Sequence, residues 1–224
     1  MKYMVHSCKD RLWYVEEYLV PSLIKQGINK DEIIIWNDNK GVGNLQSWLD
    51  SCKWISKNLK DEGVWHLQDD VLVCHDFKRR CEELGHEEII SGFCTYEFNK
   101  ERYQMTYRVP IYFIWMTFPC IYIPIKYTNE FVFWFETKVI QDGCFEKEYK
   151  TGKMDDFFFN RYIKTMHPDI YCYQPRPNMV DHIDYLLGGS TINAKEHKKK
   201  INRAFYWDDE YLTKELEEKL KDRR

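Results

Sequence analysis

The chain has 224 residues and a formal net charge of -3. That length suits one α/β domain, or one domain with an appendage, and it suffices to bury a substantial core. The charge balance excludes the global basic field of most nucleic-acid binders, and the high aromatic content (17%) serves either core volume or stacking platforms for a base or a sugar.

Lys2 to His6 predicts a first strand, followed by a polar loop, Ser7-Cys8-Lys9-Asp10-Arg11. Leu12, Trp13, Val15, Tyr18, Leu19, Leu23 and Ile24 then recur at roughly helical spacing. Pro21 should kink or split that helix, and Gly27 and Asn29 end it. Glu32 to Trp36 predicts a second buried strand, closed by Asn37-Asp38-Asn39. Strand, helix, strand is how a parallel sheet begins. In Lys40-Gly41-Val42-Gly43-Asn44, the glycines permit a tight turn and Asn44 is a good helix N-cap. Leu45, Trp48, Leu49, Cys52 and Ile55 form one helical face after it. Amides at such a helix start can hold a phosphate, although an ordinary strand-to-helix turn has the same pattern.

The centre of the chain is Val64-Trp65-His66-Leu67-Gln68-Asp69-Asp70-Val71. An apolar strand runs into two adjacent carboxylates. Two aspartates at the carboxyl end of a buried strand are costly unless something positive sits on them. In an open α/β sheet that edge is where ligands bind. A divalent cation carrying a diphosphate fits both conditions. A helix from about Asp76 to Leu84 and a strand within Glu88 to Phe93 follow.

From Cys94 to Glu148, aromatic and polar residues alternate (Tyr103, Met105, Tyr107, Val109, Tyr112 to Ile125, then Phe131, Phe133, Phe135), which predicts strands. Lys153-Met154-Asp155-Asp156-Phe157-Phe158-Phe159-Asn160 opens a helix to about Met166. Its acidic pair suits the helix dipole, or a general base facing a cleft. Past Pro175 to Pro177, His182 lies between Asp181 and Asp184, shortly before Gly188-Gly189. It is a candidate metal or phosphate ligand. Lys195 to Arg203 is a basic cluster suited to solvent or to phosphates. A C-terminal helix is expected from Asp208.

Eight cysteines stand at positions 8, 52, 74, 81, 94, 120, 144 and 172, none in a C-x-x-C pair. With no leader before them, they predict reduced thiols and a cytoplasmic protein. Cys74, His75, Cys81 and His86 fit no usual zinc spacing. The apolar stretch Ile111 to Ile125 holds two prolines and falls short of the ~20 residues a spanning helix needs, so no membrane span is expected.

In joint order, Gly43-Asn44-Leu45, Trp65-His66-Leu67-Gln68-Asp69-Asp70-Val71, Asp155-Asp156-Phe157-Phe158 and the segment Pro177 to Ser190 resemble GT-A-type glycosyltransferases. The resemblance is nearest to the small ones of bacteriophages and prophages. It implies a single GT-A-like, Rossmann-type α/β domain with a mixed, mostly parallel sheet flanked by helices. The donor half would be 1–93, the acceptor half 94–207 and a terminal helix 208–224. It implies that Asp70 and His182 bind Mn2+ or Mg2+. Ser7, Arg11, Asp38, Gly43, Asn44 and Asp69 would hold a nucleotide-sugar donor, with UDP-glucose the family's usual choice. Asp155 or Asp156 would be the base of an inverting reaction. The motif here is Gln-Asp-Asp where relatives often begin with an acidic residue. The implied acceptor is a hydroxymethylated pyrimidine in phage DNA, or else a saccharide or protein hydroxyl. A phage protein of this kind would work in the bacterial host cytoplasm. From the paired aspartates alone, a metal-dependent nucleotidyltransferase or phosphohydrolase, or a non-enzymatic binding module, stays open.

Overall fold

Strands from Lys2–Cys8 to Tyr171–Arg176 converge on one sheet. The computed structural model describes residues 1–60, 63–84, 86–93, 105–114, 116–150, 155–176, 178–184, 187 and 218. The basic cluster 195–203, the Gly188-Gly189 turn and, apart from Glu218, the C-terminal helix lie outside the described residues.

Strand β1 is Lys2–Cys8, two residues longer than its apolar pattern. A helical stretch follows as α1, Leu12–Tyr14, a π-helical segment, Val15–Leu19, and α2, Val20–Lys25. Pro21 falls in the first turn of α2, directly after the π-helical segment, and the helical stretch runs on through it. The stretch buries Tyr14, Val15, Leu19 and Leu23, while Ile24 faces solvent. Strand β2, Ile33–Asp38, pairs parallel with β1. Helix α3, Asn44–Asn58, buries the predicted face of Leu45, Trp48, Leu49, Cys52 and Ile55. Its N-cap is Gly43 rather than Asn44. The chain enters at φ +92° there, a conformation that glycine adopts without the Cβ penalty of asparagine.

Strand β3, Val64–Gln68, lies on the other side of β1 and parallel to it. The short β4, Val71–Val73, leads to α4, Phe77–Glu83, and β5, Ile89–Ser91. Next come β6, Met105–Pro110, and β7, Cys120–Ile123. Helix α5, Ile125–Trp134, continues as a π-helical segment, Phe135–Gln141. The expectation of strands through Phe131, Phe133 and Phe135 is thereby corrected. Tyr127, Phe131, Trp134 and Phe135 are buried while Phe133 is exposed. The spacing 127, 131, 134/135 is one helical face, and in so aromatic a stretch it coexists with a two-residue alternation. After α6, Glu146–Lys150, and α7, Asp155–Met166, come β8, Tyr171–Arg176, and β9, Val180–His182.

The main sheet has seven strands in the order β2-β1-β3-β7-β5-β8-β6. Strands β2, β1, β3, β5 and β8 point one way, and β7 and β6 the other. It is a mixed, mostly parallel α/β sheet with helices on both faces, the architecture expected of a Rossmann-type, GT-A-like domain. One face packs α1, α2 and α4 over Tyr3, Val5, Trp65 and Leu67. The other packs α3, α5 and α7 around Trp48, Phe131, Phe158, Phe159 and Tyr162. Burying aromatic and aliphatic side chains of this size contributes roughly 1.5–3 kcal/mol each. Among the described residues no helix is long and apolar enough to cross a membrane.

Candidate functional site

The winding of the first three strands decides where a ligand can sit. The chain passes from β1 to β2 by α1 and α2, then returns over β1 by α3 to place β3 on its far side. The order therefore reverses between β1 and β3, with the α1–α2 crossover on one face of the sheet and the α3 crossover on the other. Such a switch point opens a crevice at the carboxyl ends of the strands. Asp69 and Asp70 lie there, immediately after β3.

Four side chains meet at this edge. Arg11 Nη1 donates to Asp69 Oδ1 at 3.2 Å and to Asp70 Oδ2 at 2.5 Å. The backbone N–H of Cys8, the last residue of β1, donates to Asp69 Oδ2 at 3.0 Å, so the pair is tied to both strand ends. His182 Nε2 stands 3.2 Å from Asp70 Oδ1. Arg11, Asp69 and Asp70 are all buried. His182 arrives on β9, which pairs antiparallel with β4 and sets His182 opposite Val71. The N–H of Ile183 donates to the Asp70 carbonyl at 2.8 Å. The Tyr14 hydroxyl donates to the Val71 carbonyl at 2.8 Å. The acidic turn is thus held by backbone bonds on both sides as well as by its side chains.

Burial pushes the Asp70 carboxyl up, but His182 and Arg11 outweigh it and hold that group at about 2. For Asp69, burial and the neighbouring Asp70 charge win over Arg11 and push its carboxyl up. The His182 imidazole goes the other way: burial lowers it, and the Asp70 carboxylate more than restores it, leaving it raised. With both aspartates ionised, one guanidinium faces two carboxylates.

The residues present fit a divalent cation in part. Asp70 Oδ1 is buried and makes no hydrogen bond, and His182 Nε2 faces it. A carboxylate oxygen and an imidazole nitrogen on one side suit Mn2+ or Mg2+. Among the described residues, however, no group of three or more His, Cys, Asp or Glu could hold a metal. Two protein ligands match an ion whose remaining positions are filled by diphosphate and water.

The other residues singled out in the sequence lie as follows. Ser7, buried in β1, donates its hydroxyl to the Cys8 carbonyl. Asp38 ends β2 and accepts from the N–H groups of Val42 and Gly43 at 3.0 Å each. The glycine turn therefore delivers two amides to the chain's own carboxylate. Asn44 is the first residue of α3. Asp155 and Asp156 open α7, which packs against α3, α5 and the 111–113 turn.

Sequence reasoning overlooked the bridging position of Arg11, the Cys8 amide and the Tyr14 hydroxyl. It also overlooked a pair of histidines on β1 and β3, of which His66 is buried. His6 Nε2 and His66 Nδ1 are 2.9 Å apart, packed under Trp48 with ring centroids 5.1 and 4.6 Å from its ring. Burial lowers both imidazoles, His6 to about 3. The available signal was the even position of both residues, which puts them on the α3 face of adjacent strands.

No family model matches the chain, and no curated protein matches it. Among solved structures, the crystal structure of A197 from STIV is similar to it with a TM-score of 0.43 and 13% identity, over 77% of this chain and 81% of that one. A likeness that distant says nothing of function.

Proposed function

We propose that the protein is a glycosyltransferase that uses a nucleotide-sugar donor. The observation that carries this reading is the meeting of Arg11, Asp69, Asp70 and His182 at the switch point of a mostly parallel sheet. A diphosphate-linked ligand bound in that crevice would lie over a carboxylate, an imidazole and a guanidinium together. Asp70 Oδ1 and His182 Nε2 would hold Mn2+ or Mg2+, whose charge offsets that of the departing diphosphate. Asp69, fixed by Cys8 and Arg11, would accept from donor hydroxyls, and Arg11 would face donor phosphate oxygens. Asp155 or Asp156 would take the acceptor's proton if the reaction inverts. The net charge of -3 weighs mildly against DNA as acceptor, leaving a hydroxymethylated pyrimidine and a saccharide or protein hydroxyl as the two acceptor classes to compare.

The test is a donor screen. Purified protein is incubated with Mn2+ and a panel of nucleotide sugars, UDP-glucose included, with and without EDTA, and released nucleoside diphosphate is measured. Release from one donor that EDTA abolishes is the expected result. Pyrophosphate as the product would replace the reading with nucleotidyl transfer. No metal-dependent binding of any donor by calorimetry would refute it.

A further inference from the structure

The sequence calls for a positive group on the paired aspartates, and the fold provides one from within the chain. Arg11 Nη1 bridges Asp69 Oδ1 and Asp70 Oδ2, at 3.2 and 2.5 Å. Arg11 and both aspartates are each less than a tenth exposed. The guanidinium is thus a buried counter-ion seated between the carboxylates that a metal would use. Asp70 Oδ1, facing His182, is the oxygen Arg11 leaves free of any hydrogen bond. One protein cation and one divalent ion would then compete for the same pair of carboxylates at contact distance. Like charges that close repel strongly wherever water is excluded.

We infer that Arg11 is a resident substitute for the metal and makes metal binding conditional on the donor. Without ligand, Arg11 satisfies the aspartates and divalent ions bind poorly. An incoming diphosphate gives the guanidinium another anionic partner, in the bidentate geometry that arginine and phosphate share. Arg11 then turns from Asp70 toward the phosphate, and Asp70 Oδ1, Asp70 Oδ2 and His182 Nε2 become available to the ion. Metal and diphosphate therefore bind cooperatively, each strengthening the other by the same factor. The inference rests on the reading of the site as a metal-diphosphate centre.

The experiment measures Mn2+ binding by calorimetry and by Mn2+ electron paramagnetic resonance, with and without UDP, for the wild type, Arg11→Lys and Arg11→Met. Wild-type protein should bind Mn2+ weakly alone and at least about tenfold more tightly with UDP, the low end for close buried charge pairs. Arg11→Met should bind Mn2+ alone about tenfold more tightly than wild type and lose most of the UDP effect. Its melting temperature should fall, and Mn2+ without UDP should restore it, because the ion takes the place of the missing guanidinium. Arg11→Lys keeps the charge and should stay folded with intermediate cooperativity, so the test survives a Met variant that fails to fold. Wild-type affinity for Mn2+ alone in both variants would overturn the counter-ion role while leaving the metal centre standing. If no protein binds Mn2+ with UDP present, the metal-diphosphate reading itself falls, and this inference with it.

Discussion

Replacing Asp70 by Asn isolates the electrostatics of the site, since shape and most hydrogen-bonding capacity are retained. The carboxyl is held at about 2 against an ordinary value of 3.8. At 1.36 kcal/mol per unit, that difference contributes about 2–3 kcal/mol to folding. The upward shift of Asp69 takes part of this back, because the two carboxylates share one guanidinium. Breaking a buried charge pair by removing one partner typically costs about 3–5 kcal/mol. We therefore expect Asp70→Asn to lose about 2 kcal/mol, the lower bound of the first figure, because the amide retains part of the hydrogen bonding that a full deletion removes. The signs define a pH window. The depressed carboxyl of Asp70 stabilises the fold fully above 3.8, and that contribution is lost as pH falls through about 2. The raised imidazole of His182 stabilises it fully below 6.5, and that contribution is lost as pH climbs through the folded value. The difference between wild type and variant should be greatest between 3.8 and 6.5. The assay is urea unfolding from pH 4 to 8, with a midpoint shift of about 1 M expected from a slope of about 2 kcal/mol/M. The His182 resonance followed by NMR should titrate lower in the variant. A loss below about 0.5 kcal/mol, the usual range of an indifferent surface change, together with an unmoved His182, would refute the coupling of Asp70 to Arg11 and His182.

Three further outcomes follow from the same geometry. Gly63 precedes β3, and a Cβ there would lie 2.4 Å from the Tyr122 ring and 2.7 Å from the Ile123 carbonyl oxygen, so Gly63→Ala should lower stability by about 1–3 kcal/mol in thermal melts. Unchanged melting would mean that β3 and β7 pack less closely than described. Asn160, fully buried on α7, accepts from the Met116 N–H at 2.9 Å and donates to the Met116 carbonyl at 2.8 Å. Asn160→Ala orphans two buried backbone groups, and its destabilisation of about 2–4 kcal/mol is checked by urea unfolding; Asn160→Asp should be about as harmful, because a carboxylate offers the carbonyl no donor. His6 and His66 should remain neutral throughout pH 5 to 8, His6 titrating only near about 3, and NMR resonances of either ring that move between pH 5 and 8 would refute their enclosure under Trp48.

Several parts of this molecule were legible before any coordinates. The run from Val64 to Leu67 ending in Asp69-Asp70 gave the central strand and the turn where the carboxylates gather, because an apolar strand and a carboxylate pair demand opposite surroundings and the chain must pass from one to the other there. The face of α3 was equally plain, since only one register of a helix buries Leu45, Trp48, Leu49, Cys52 and Ile55 together. The stretch through Phe131, Phe133 and Phe135 was misleading, because dense aromatics satisfy both periods and only packing against Phe159 and Tyr162 chooses the helix. The helix start at Gly43 depended on a backbone angle, not on the capping ability of Asn44.

What the sequence could not settle was which charge meets which. Two buried carboxylates require a cation, and local pattern alone admits a metal, a lysine or an arginine from anywhere in the chain. The reversal of strand order between β1 and β3 brings the loop after β1, and with it Arg11, over the end of β3. The pairing of β9 with β4 brings His182 to the same place from the far end of the described chain. Charges find their partners by distance in space, and distance in space follows from strand order and register, which contacts far apart in sequence decide.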